Sequence, residues 1–147
     1  MSTTDIAKAF VTALEARDFN TAASYLSDDF RFVGPAPQPL GKNEFIGVQQ
    51  TIQNAFPDWS FNVSNIHEEG DKVKSITQIT GTQTGELNLA PLGLPPIPPT
   101  GKKVSLPKEG VTLTFRGNKI TELTSEQVPG GGIPGLLAQL GVQMPHP

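Results

Sequence analysis

Gly81-Thr82-Gln83-Thr84-Gly85-Glu86-Leu87 lies near the middle of the chain and separates two sets of strand-like segments. Residues 72–79 precede it and Val111-Thr112-Leu113-Thr114-Phe115 follows it, and both alternate apolar and polar side chains. Alternation with period two, rich in β-branched and aromatic residues, predicts half-buried strands. Tight turns are predicted at Glu69-Gly70-Asp71 and at Gly117-Asn118, because Gly and Asn tolerate positive φ. Strands joined in this way form an antiparallel sheet that needs an apolar cover on one face.

Three helices are predicted before the sheet, and they supply that cover. Residues 2–17 place apolar side chains at helical spacing, which indicates a helix with one buried face. A shorter helix is predicted to begin at Asp18 or Asn20, and a third to begin at Asn43. The third helix is predicted to end before Pro57, because a proline ring is incompatible with a continuing helix. Helices followed by an antiparallel sheet place the chain in the α+β class.

Other segments complete the predicted elements. Phe30-Arg31-Phe32-Val33 is predicted to be a short strand, residues 61–63 a strand-like run, and residues 120–128 the last strand. Residues 90–100 are apolar and rich in proline, which favours a loop that covers the opening of a pocket or contacts a partner. Residues 133–140 carry leucines at helical spacing and predict a short helix. A helix of this size is too short to stand alone, so it docks on the sheet mouth or on a second subunit.

The composition excludes several classes of function. The 147 residues have a net charge of -3 with scattered lysines and arginines, which argues against a nucleic-acid surface. The chain has no apolar run of the roughly 20 residues that a membrane span needs, and no signal-peptide pattern, so we expect a cytoplasmic protein. There is no cysteine and there are two histidines, so disulfides and thiolate chemistry are absent and no spacing suggests a metal site. The length fits a single domain over residues 1–147.

Several short motifs, in a consistent order, resemble one known family. They are Phe56-Pro57-Asp58, Gly70-Asp71-Lys72-Val73, Gly81-Thr82-Gln83-Thr84-Gly85-Glu86 and Pro98-Pro99-Thr100-Gly101-Lys102. The chain is similar to the SnoaL-like polyketide cyclase branch of the nuclear-transport-factor-2-like superfamily, which has a cystatin-like fold. The resemblance implies a curved antiparallel sheet that forms a cone-shaped pocket with the N-terminal helices. It also implies a hydrophobic, carbonyl-bearing small molecule as ligand, without a metal or a cofactor.

The resemblance further implies a reaction of the lyase or isomerase class. Family cyclases close a polyketide ring by an aldol reaction, for which an Asp and a His on neighbouring strands supply acid–base chemistry. In this chain the His position falls on Gln83, the Asp position falls on Val111, and the Asp of related ketosteroid isomerases falls on Gly34. Three hypotheses follow: a cofactor-free cyclase or isomerase, a non-catalytic small-molecule-binding protein, and a dimeric scaffold protein.

Three polar side chains are candidates for catalysis. Gln83 can bind a ligand carbonyl, or it can be a strand-end residue that bonds the neighbouring loop. Glu109 is the carboxylate nearest to Val111 along the chain. If it is buried it can act as a base, and otherwise it is a solvated turn residue. Glu126, on the last predicted strand, has the same two alternatives.

Alternation also predicts which residues bind the ligand, because side chains two apart on a strand share a face. The predicted ligand-binding residues are Tyr25, Trp59, Thr77, Ile79, Val111, Leu113 and Phe115. The Trp59 N–H can point at a ligand, or the ring can anchor a core or an interface. The Tyr25 hydroxyl can face the cavity and stabilise an oxyanion, or it can lie on a helix surface.

The outer face of the predicted sheet leads us to predict a homodimer. Lys72, Lys74, Ile76, Gln78 and Thr80 lie on the face opposite the pocket, and a mixed face of this kind can bury itself in a two-fold contact. Sedimentation velocity at micromolar concentration is expected to show a species of twice the chain mass. Observation of monomer alone would contradict the prediction.

Overall fold

The computed structural model describes residues 2–33, 39–88, 96–126, 128–130 and 132–141. The helices in these ranges are α1 (Thr3–Glu15), α2 (Phe19–Ser24), α3 (Lys42–Ala55) and α4 (Gly132–Gln139). The strands are β1 (Leu26–Val33), β2 (Leu40–Gly41), β3 (Ser64–Glu69), β4 (Lys72–Thr77), β5 (Thr80–Thr82), β6 (Lys103–Ser105), β7 (Glu109–Arg116) and β8 (Lys119–Ser125). The Gly34 position and most of the predicted loop at 90–100 lie outside the described residues. None of the described helices is long and apolar enough to cross a membrane.

Six strands form the main sheet in the order β2-β1-β8-β7-β4-β3. Neighbouring strands are antiparallel except β1 and β8, which run parallel. Register shifts interrupt the β1–β8, β3–β4 and β7–β8 pairings, and irregularities of this kind bend and twist a sheet. The predicted α+β class, with a curved sheet built mainly from antiparallel pairs, is confirmed.

The two hairpin turns and the alternation of faces follow the sequence prediction. Gly70 and Gly117 have φ values of 62° and 64° and occupy the two predicted turns. On β4, Val73 and Thr77 are buried whereas Lys74 is exposed. Period two therefore separates an inner face, which packs against the helices, from an outer face.

A second, two-stranded sheet pairs β5 with β6, a division that alternation alone did not predict. After Thr77 the chain leaves the main sheet because its next backbone groups bond elsewhere. The Gln78 N–H donates to the Phe61 carbonyl at 2.9 Å, and the Ile79 carbonyl accepts from the Leu106 N–H at 2.8 Å. The small sheet therefore closes the end of the molecule beside the last turn of α3.

Capping interactions fix where α1 and α3 begin. The Ser2 hydroxyl accepts from the Asp5 N–H at 3.1 Å, and the Asp5 carboxylate accepts from the Ser2 N–H at 3.3 Å. This reciprocal capping box supplies partners to backbone N–H groups that a helix start otherwise leaves unpaired. The third helix was predicted to begin at Asn43, and this prediction was wrong. Gly41 is the capping residue, and its N–H donates to the Glu44 carboxylate at 3.2 Å.

Strand boundaries also differ from prediction at three places. β1 begins at Leu26 and not at residue 30, and its Asp29 carboxylate accepts from the Arg116 guanidinium at 3.0 and 3.1 Å. These bonds hold the pKa of Asp29 at about 2. β3 begins only at Ser64, and Asn62, before it, adopts a φ of 45°. The last strand ends at residue 125 and not at residue 128.

The C-terminal helix α4 docks on the same chain, which selects one of the two predicted alternatives. Leu136, Leu137 and Leu140 are buried in the core. The Gln139 side chain binds the backbone of Ser105 on β6 through both amide atoms. Its Nε2 donates to the Ser105 carbonyl and its Oε1 accepts from the Ser105 N–H, both at 2.9 Å. Apolar burial and this double hydrogen bond together hold a helix of only eight residues.

Asp58 fixes the start of the small sheet against the end of α3. Its carboxylate accepts from the Thr82 N–H at 2.7 Å and from the Thr82 hydroxyl at 3.0 Å. At Gly81, an added Cβ would lie 3.2 Å from ring atoms of Phe56 and Trp59. Glycine at this position therefore lets the β5 backbone pack directly on the two aromatic rings.

We predict that Asp58 makes the stability of the protein depend on pH. The Thr82 N–H lowers the pKa of Asp58 below its ordinary value of 3.8. Since the folded-state pKa is the lower one, the stabilisation is complete above the unfolded-state value and is lost as pH falls through the folded-state value. The variant Asp58→Asn is expected to melt about 2 °C or more below wild type at neutral pH. Thermal melts followed by circular dichroism between neutral pH and strongly acidic pH measure this difference, which is expected to shrink on acidification.

The matched control for this prediction is Asp71→Asn. Asp71 is exposed beside Lys72, with 3.8 Å between the carboxylate and the ammonium group, and surface pairs of this kind contribute little. Its melting temperature is expected to follow that of wild type. An Asp58→Asn melting curve that is indistinguishable from the control at every pH would contradict the proposed anchor.

Candidate functional site

A cavity of about 140 Å³ lies between the inner face of the main sheet and helices α1, α3 and α4. Five aromatic rings contribute to its wall, from Phe10, Phe32, Phe45, Trp59 and Phe61. Aliphatic side chains supply most of the remainder, so the wall is largely apolar. Small-molecule sites commonly combine an apolar wall with a few polar groups that fix orientation.

Secondary-structure periodicity explains how the helices present their side chains to the cavity. Phe10 and Leu14 are four residues apart on α1, and Phe45, Gln49 and Ile52 follow one face of α3. Residues with this spacing lie above one another on a helix. Gln49 is therefore a polar residue within an apolar helical face.

The sheet presents a row of alternate residues to the same cavity. Ser75 and Thr77 on β4, and Glu109, Val111 and Leu113 on β7, line the wall. In the antiparallel register, Thr77 pairs with Glu109 and Ser75 pairs with Val111. The sheet therefore places hydroxyl groups next to the one described carboxylate of the cavity wall.

Glu109 is a buried carboxylate at the first position of β7. It is 3% exposed and lines the cavity. Its backbone carbonyl accepts from the Thr77 hydroxyl at 3.5 Å. Of the two alternatives left open by the sequence, a solvated turn residue and a buried carboxylate, the burial of Glu109 selects the second.

Trp59 lines the cavity and is packed between two other aromatic rings. Its ring centroid lies 5.3 Å from that of Phe56 and 6.2 Å from that of Phe61. The Phe61 N–H donates to the Glu15 carboxylate at 2.9 Å, which ties this segment to α1. Among the described residues, the buried Trp59 Nε1 has no hydrogen-bond partner. A buried donor in this condition is suited to an acceptor on a ligand.

Gln49 carries the second polar atom of this kind in the cavity wall. Its Oε1 is buried and has no hydrogen-bond partner among the described residues. Alternation on strands could not have identified it, because it lies on a helix. The available sequence signal is a polar residue between Phe45 and Ile52 on an otherwise apolar helical face.

The structure separates the predicted site residues into two groups. Those that line the cavity are Trp59, Thr77, Ile79, Glu109, Val111 and Leu113. Four others, Tyr25, Gln83, Phe115 and Glu126, are not part of the described cavity wall.

Three of those four residues lie at the periphery of the site. Tyr25 is a half-buried residue at the end of α2, and its carbonyl accepts from the Ile120 N–H at 2.8 Å. Phe115 pairs with Ile120 and is buried in the core beyond the cavity. Glu126 is exposed, and its carboxylate accepts from the Gly110 N–H at 3.5 Å.

Gln83 is buried, but its side chain is directed into the loop that follows it. Its Nε2 donates to the carbonyls of Gly85, Ile97 and Pro98 at 3.1, 3.4 and 3.2 Å. Its Oε1 accepts from the Thr100 hydroxyl at 2.7 Å and from the Thr100 N–H at 3.2 Å. The expectation that position 83 faces the cavity is therefore corrected, and the geometry favours the alternative in which Gln83 bonds the neighbouring loop.

Within the described ranges, no group of three His, Cys, Asp or Glu side chains could hold a metal ion. His67, in β3, lies on the exposed edge of the sheet. Its ring nitrogens contact the Asn65 carbonyl at 2.9 Å and the Glu69 carboxylate at 2.7 Å. These contacts raise the pKa of His67 above its ordinary value. His67 is not among the residues that line the cavity.

The chain was compared with protein families, curated proteins and solved structures. The model of the SnoaL-like domain matches residues 7–123. None of the curated proteins matches the chain in sequence. The resemblance to the SnoaL-like family that the motifs indicated is confirmed.

Solved structures share the fold over nearly the full chain. AclR, a candidate hydroxylase from Streptomyces galilaeus, has a TM-score of 0.73 and 23% identity, with 95% of each chain covered. IdmH, a candidate polyketide cyclase from Streptomyces antibioticus, has a TM-score of 0.71 and 23% identity, with 97% of this chain and 100% of that chain covered. A protein with a cystatin-like fold from Xanthomonas campestris has a TM-score of 0.65 and 18% identity, with 86% and 90% covered. At these identities the likeness concerns the fold.

We predict that Gln83 contributes to stability and not to ligand binding. Gln83→Leu keeps much of the side-chain volume but leaves the Thr100 N–H and several loop carbonyls unpaired. Each buried group left unpaired costs on the order of 1 to 3 kcal/mol, so the melting temperature is expected to fall by about 4 °C or more. Differential scanning calorimetry measures the loss, and fluorescence of Trp59 in the folded variant reports whether ligands still bind.

The matched control is Gln78→Leu, which makes the same change at an exposed position. Its melting temperature is expected to change little. Equal melting temperatures of the two variants would contradict the structural role of Gln83. If Gln83→Leu melts at the wild-type temperature but no longer binds ligand, Gln83 is a ligand-binding residue.

Proposed function

The chain belongs to the SnoaL-like domain family, and from that membership we propose that it binds a small carbonyl compound and removes a proton next to the carbonyl group. The observation that carries the proposal is a buried carboxylate, Glu109, in the wall of a largely apolar cavity that is also lined by Trp59, whose buried indole N–H has no partner among the described residues. A base and a hydrogen-bond donor are the two groups that enolate chemistry needs. The description of IdmH as a candidate polyketide cyclase is consistent with chemistry of this class on the same fold.

Burial favours Glu109 as the base. A carboxylate is a better proton acceptor where water is excluded, because its charged form loses solvation. The surrounding wall is largely apolar, and its polar residues besides Glu109 include Gln49, Ser75, Thr77 and Ser125. In this setting a carboxylate can accept a proton from carbon, a step that a fully solvated carboxylate performs slowly.

The proposed step is balanced as follows. The Glu109 carboxylate takes a proton from the carbon next to the ligand carbonyl, and the C–H electron pair forms the carbon–carbon double bond of an enolate. The carbonyl oxygen takes up the negative charge and accepts a hydrogen bond from Trp59 Nε1. A preorganised donor of this kind stabilises the enolate more than the neutral carbonyl.

Two outcomes are open to the enolate, and both return Glu109 to its starting state. In an isomerisation, the Glu109 carboxylic acid returns its proton to a different carbon. In an aldol cyclisation, the enolate carbon forms a bond to a second carbonyl carbon, whose oxygen receives the proton. No redox partner is needed in either case.

A non-catalytic binding protein is the second candidate function, and the placement of Gln83 favours it. The family's histidine position is occupied by a side chain that bonds Gly85, Ile97, Pro98 and Thr100. It therefore supplies no acid or base to the cavity. In this alternative Glu109 and Trp59 orient a ligand and no proton leaves carbon.

Exchange of ketone α-hydrogens in heavy water tests the proposal without knowledge of the natural substrate. Proton NMR follows the loss of the α-hydrogen signals of cyclohexanone in the presence of the protein. We predict accelerated exchange for wild type and a loss of about 100-fold or more in Glu109→Gln. Circular dichroism checks that the variant is folded.

Glu126→Gln is the matched control, because it makes the same change at an exposed carboxylate outside the cavity wall. It is expected to exchange at the wild-type rate. Equal rates for wild type and Glu109→Gln would overturn Glu109 as the base. Saturable quenching of Trp59 fluorescence without any exchange would establish the binding protein instead.

A further inference from the structure

Two buried polar atoms in the cavity wall define a hydrogen-bonding pattern for the ligand. Trp59 Nε1 and Gln49 Oε1 both belong to residues of the wall, and neither has a partner among the described residues. An indole nitrogen can only donate, whereas an amide oxygen can only accept. A ligand that satisfies both must therefore carry one acceptor and one donor. Gln53 Nε2 is also buried without a partner among the described residues, but Gln53 is not part of the wall.

The Trp59 side chain is held in place before a ligand binds. Trp59 packs against Phe56 and Phe61, and its backbone N–H donates to the Phe56 carbonyl at 3.0 Å. Gln49 lies on α3 between Phe45 and Ile52, which line the same wall. Fixed groups lose little freedom on binding, so they can discriminate between ligands of equal size.

The volume limits the size of the ligand. The cavity of about 140 Å³ is close to the roughly 150 Å³ of an engineered protein cavity that binds benzene. One six-membered ring with small substituents fills such a space. A ligand of several fused rings would have to leave most of its surface outside.

Charge limits the ligand further. The described wall contains no Lys, Arg or His, and it includes Glu109. An anionic ligand would lose its hydration without gaining a cationic partner, and it would lie near a carboxylate. The described wall therefore disfavours carboxylate-bearing ligands.

We propose that the cavity selects a neutral, single-ring compound that carries both a carbonyl and a hydroxyl group. The carbonyl accepts from Trp59 Nε1, and the hydroxyl donates to Gln49 Oε1. This assignment rests on the proposed function in one respect, because it places the ligand carbonyl at the group that would stabilise the enolate. It adds the size, the charge and the second polar group of the ligand.

A panel of six-membered rings tests the assignment. The probes are the three hydroxycyclohexanone isomers, cyclohexanone, cyclohexanol, methylcyclohexane and the anionic oxocyclohexanecarboxylate, with α-tetralone as a two-ring relative. Trp59 is the sole tryptophan of the chain, so its fluorescence reports occupancy of the cavity directly. We expect at least one hydroxycyclohexanone to bind about fivefold to tenfold more tightly than cyclohexanone and cyclohexanol. The anion and α-tetralone are expected to bind more weakly than either.

Two variants assign the polar contacts. Gln49→Leu is expected to abolish the advantage of hydroxycyclohexanone over cyclohexanone. Trp59→Phe is expected to abolish the advantage of hydroxycyclohexanone over cyclohexanol. Because that variant lacks the fluorophore, its binding is measured by ligand-detected NMR. Gln78→Leu, on the outer surface, serves as the control with unchanged binding.

The outcomes separate this assignment from the proposed reaction. Equal binding of all neutral rings, tighter binding of the anion or of α-tetralone, or no binding of any ring would overturn the assignment. If the expected selectivity appears but α-hydrogen exchange does not, the ligand assignment stands and the proposed proton removal fails. If exchange depends on Glu109 but the hydroxyl group gives no advantage, the reaction stands and the ligand assignment fails.

Discussion

The buried amide of Gln83 is the interaction on which the closed end of this molecule depends. Its two polar atoms bond a backbone segment on each side of a long connection, from Gly85 to Thr100. The adjacent Thr84 and Gly85 N–H groups donate to the Ala55 carbonyl at the end of α3. The Gln83 side chain therefore joins the two ends of the connection, and the backbone next to it joins the connection to α3. Without the Gln83 amide, the Gly85 and Pro98 carbonyls and the Thr100 N–H would lose this partner.

The location of Gln83 also explains how polar residues are divided between structure and site. At the closed end, the Gln83 amide has hydrogen-bond partners within the protein for both of its polar atoms, and it holds the connection between Gly85 and Thr100. At the cavity wall, Glu109 lies on β7, Gln49 lies on α3, and Trp59 lies in the segment between α3 and β3. Asp58 links the two regions, because its carboxylate holds Thr82 while Trp59 follows it directly in the chain. The residues proposed for the chemistry of the cavity are thus separate from the motif at residues 81–86, which is one of those that indicated the family.

Much of the fold could be predicted from local pattern, and the failures have physical causes. Alternation on β4 and β7 identified Thr77, Val111 and Leu113 correctly as cavity residues, because pairing within one sheet preserves the face of each side chain. The same extrapolation holds as far as Ile79. It fails at Gln83, because this residue follows β5 of the small sheet and its side chain is bonded to the backbone and the Thr100 hydroxyl of the connection. Gln49 was missed because its position depends on how α3 packs against the sheet, which a strand pattern does not contain.

The contact that attaches α4 to β6 constrains the residue type at only one of its two positions. The Gln139 amide bonds only the backbone N–H and carbonyl of Ser105. Every residue type except proline has both of these groups. Position 105 is therefore free to vary without affecting the contact, whereas position 139 requires an amide of the correct reach. Among related chains, such a joint would leave no covarying pair of positions. Methods that infer contacts from correlated substitutions would miss it, although it holds the helix that covers one side of the cavity.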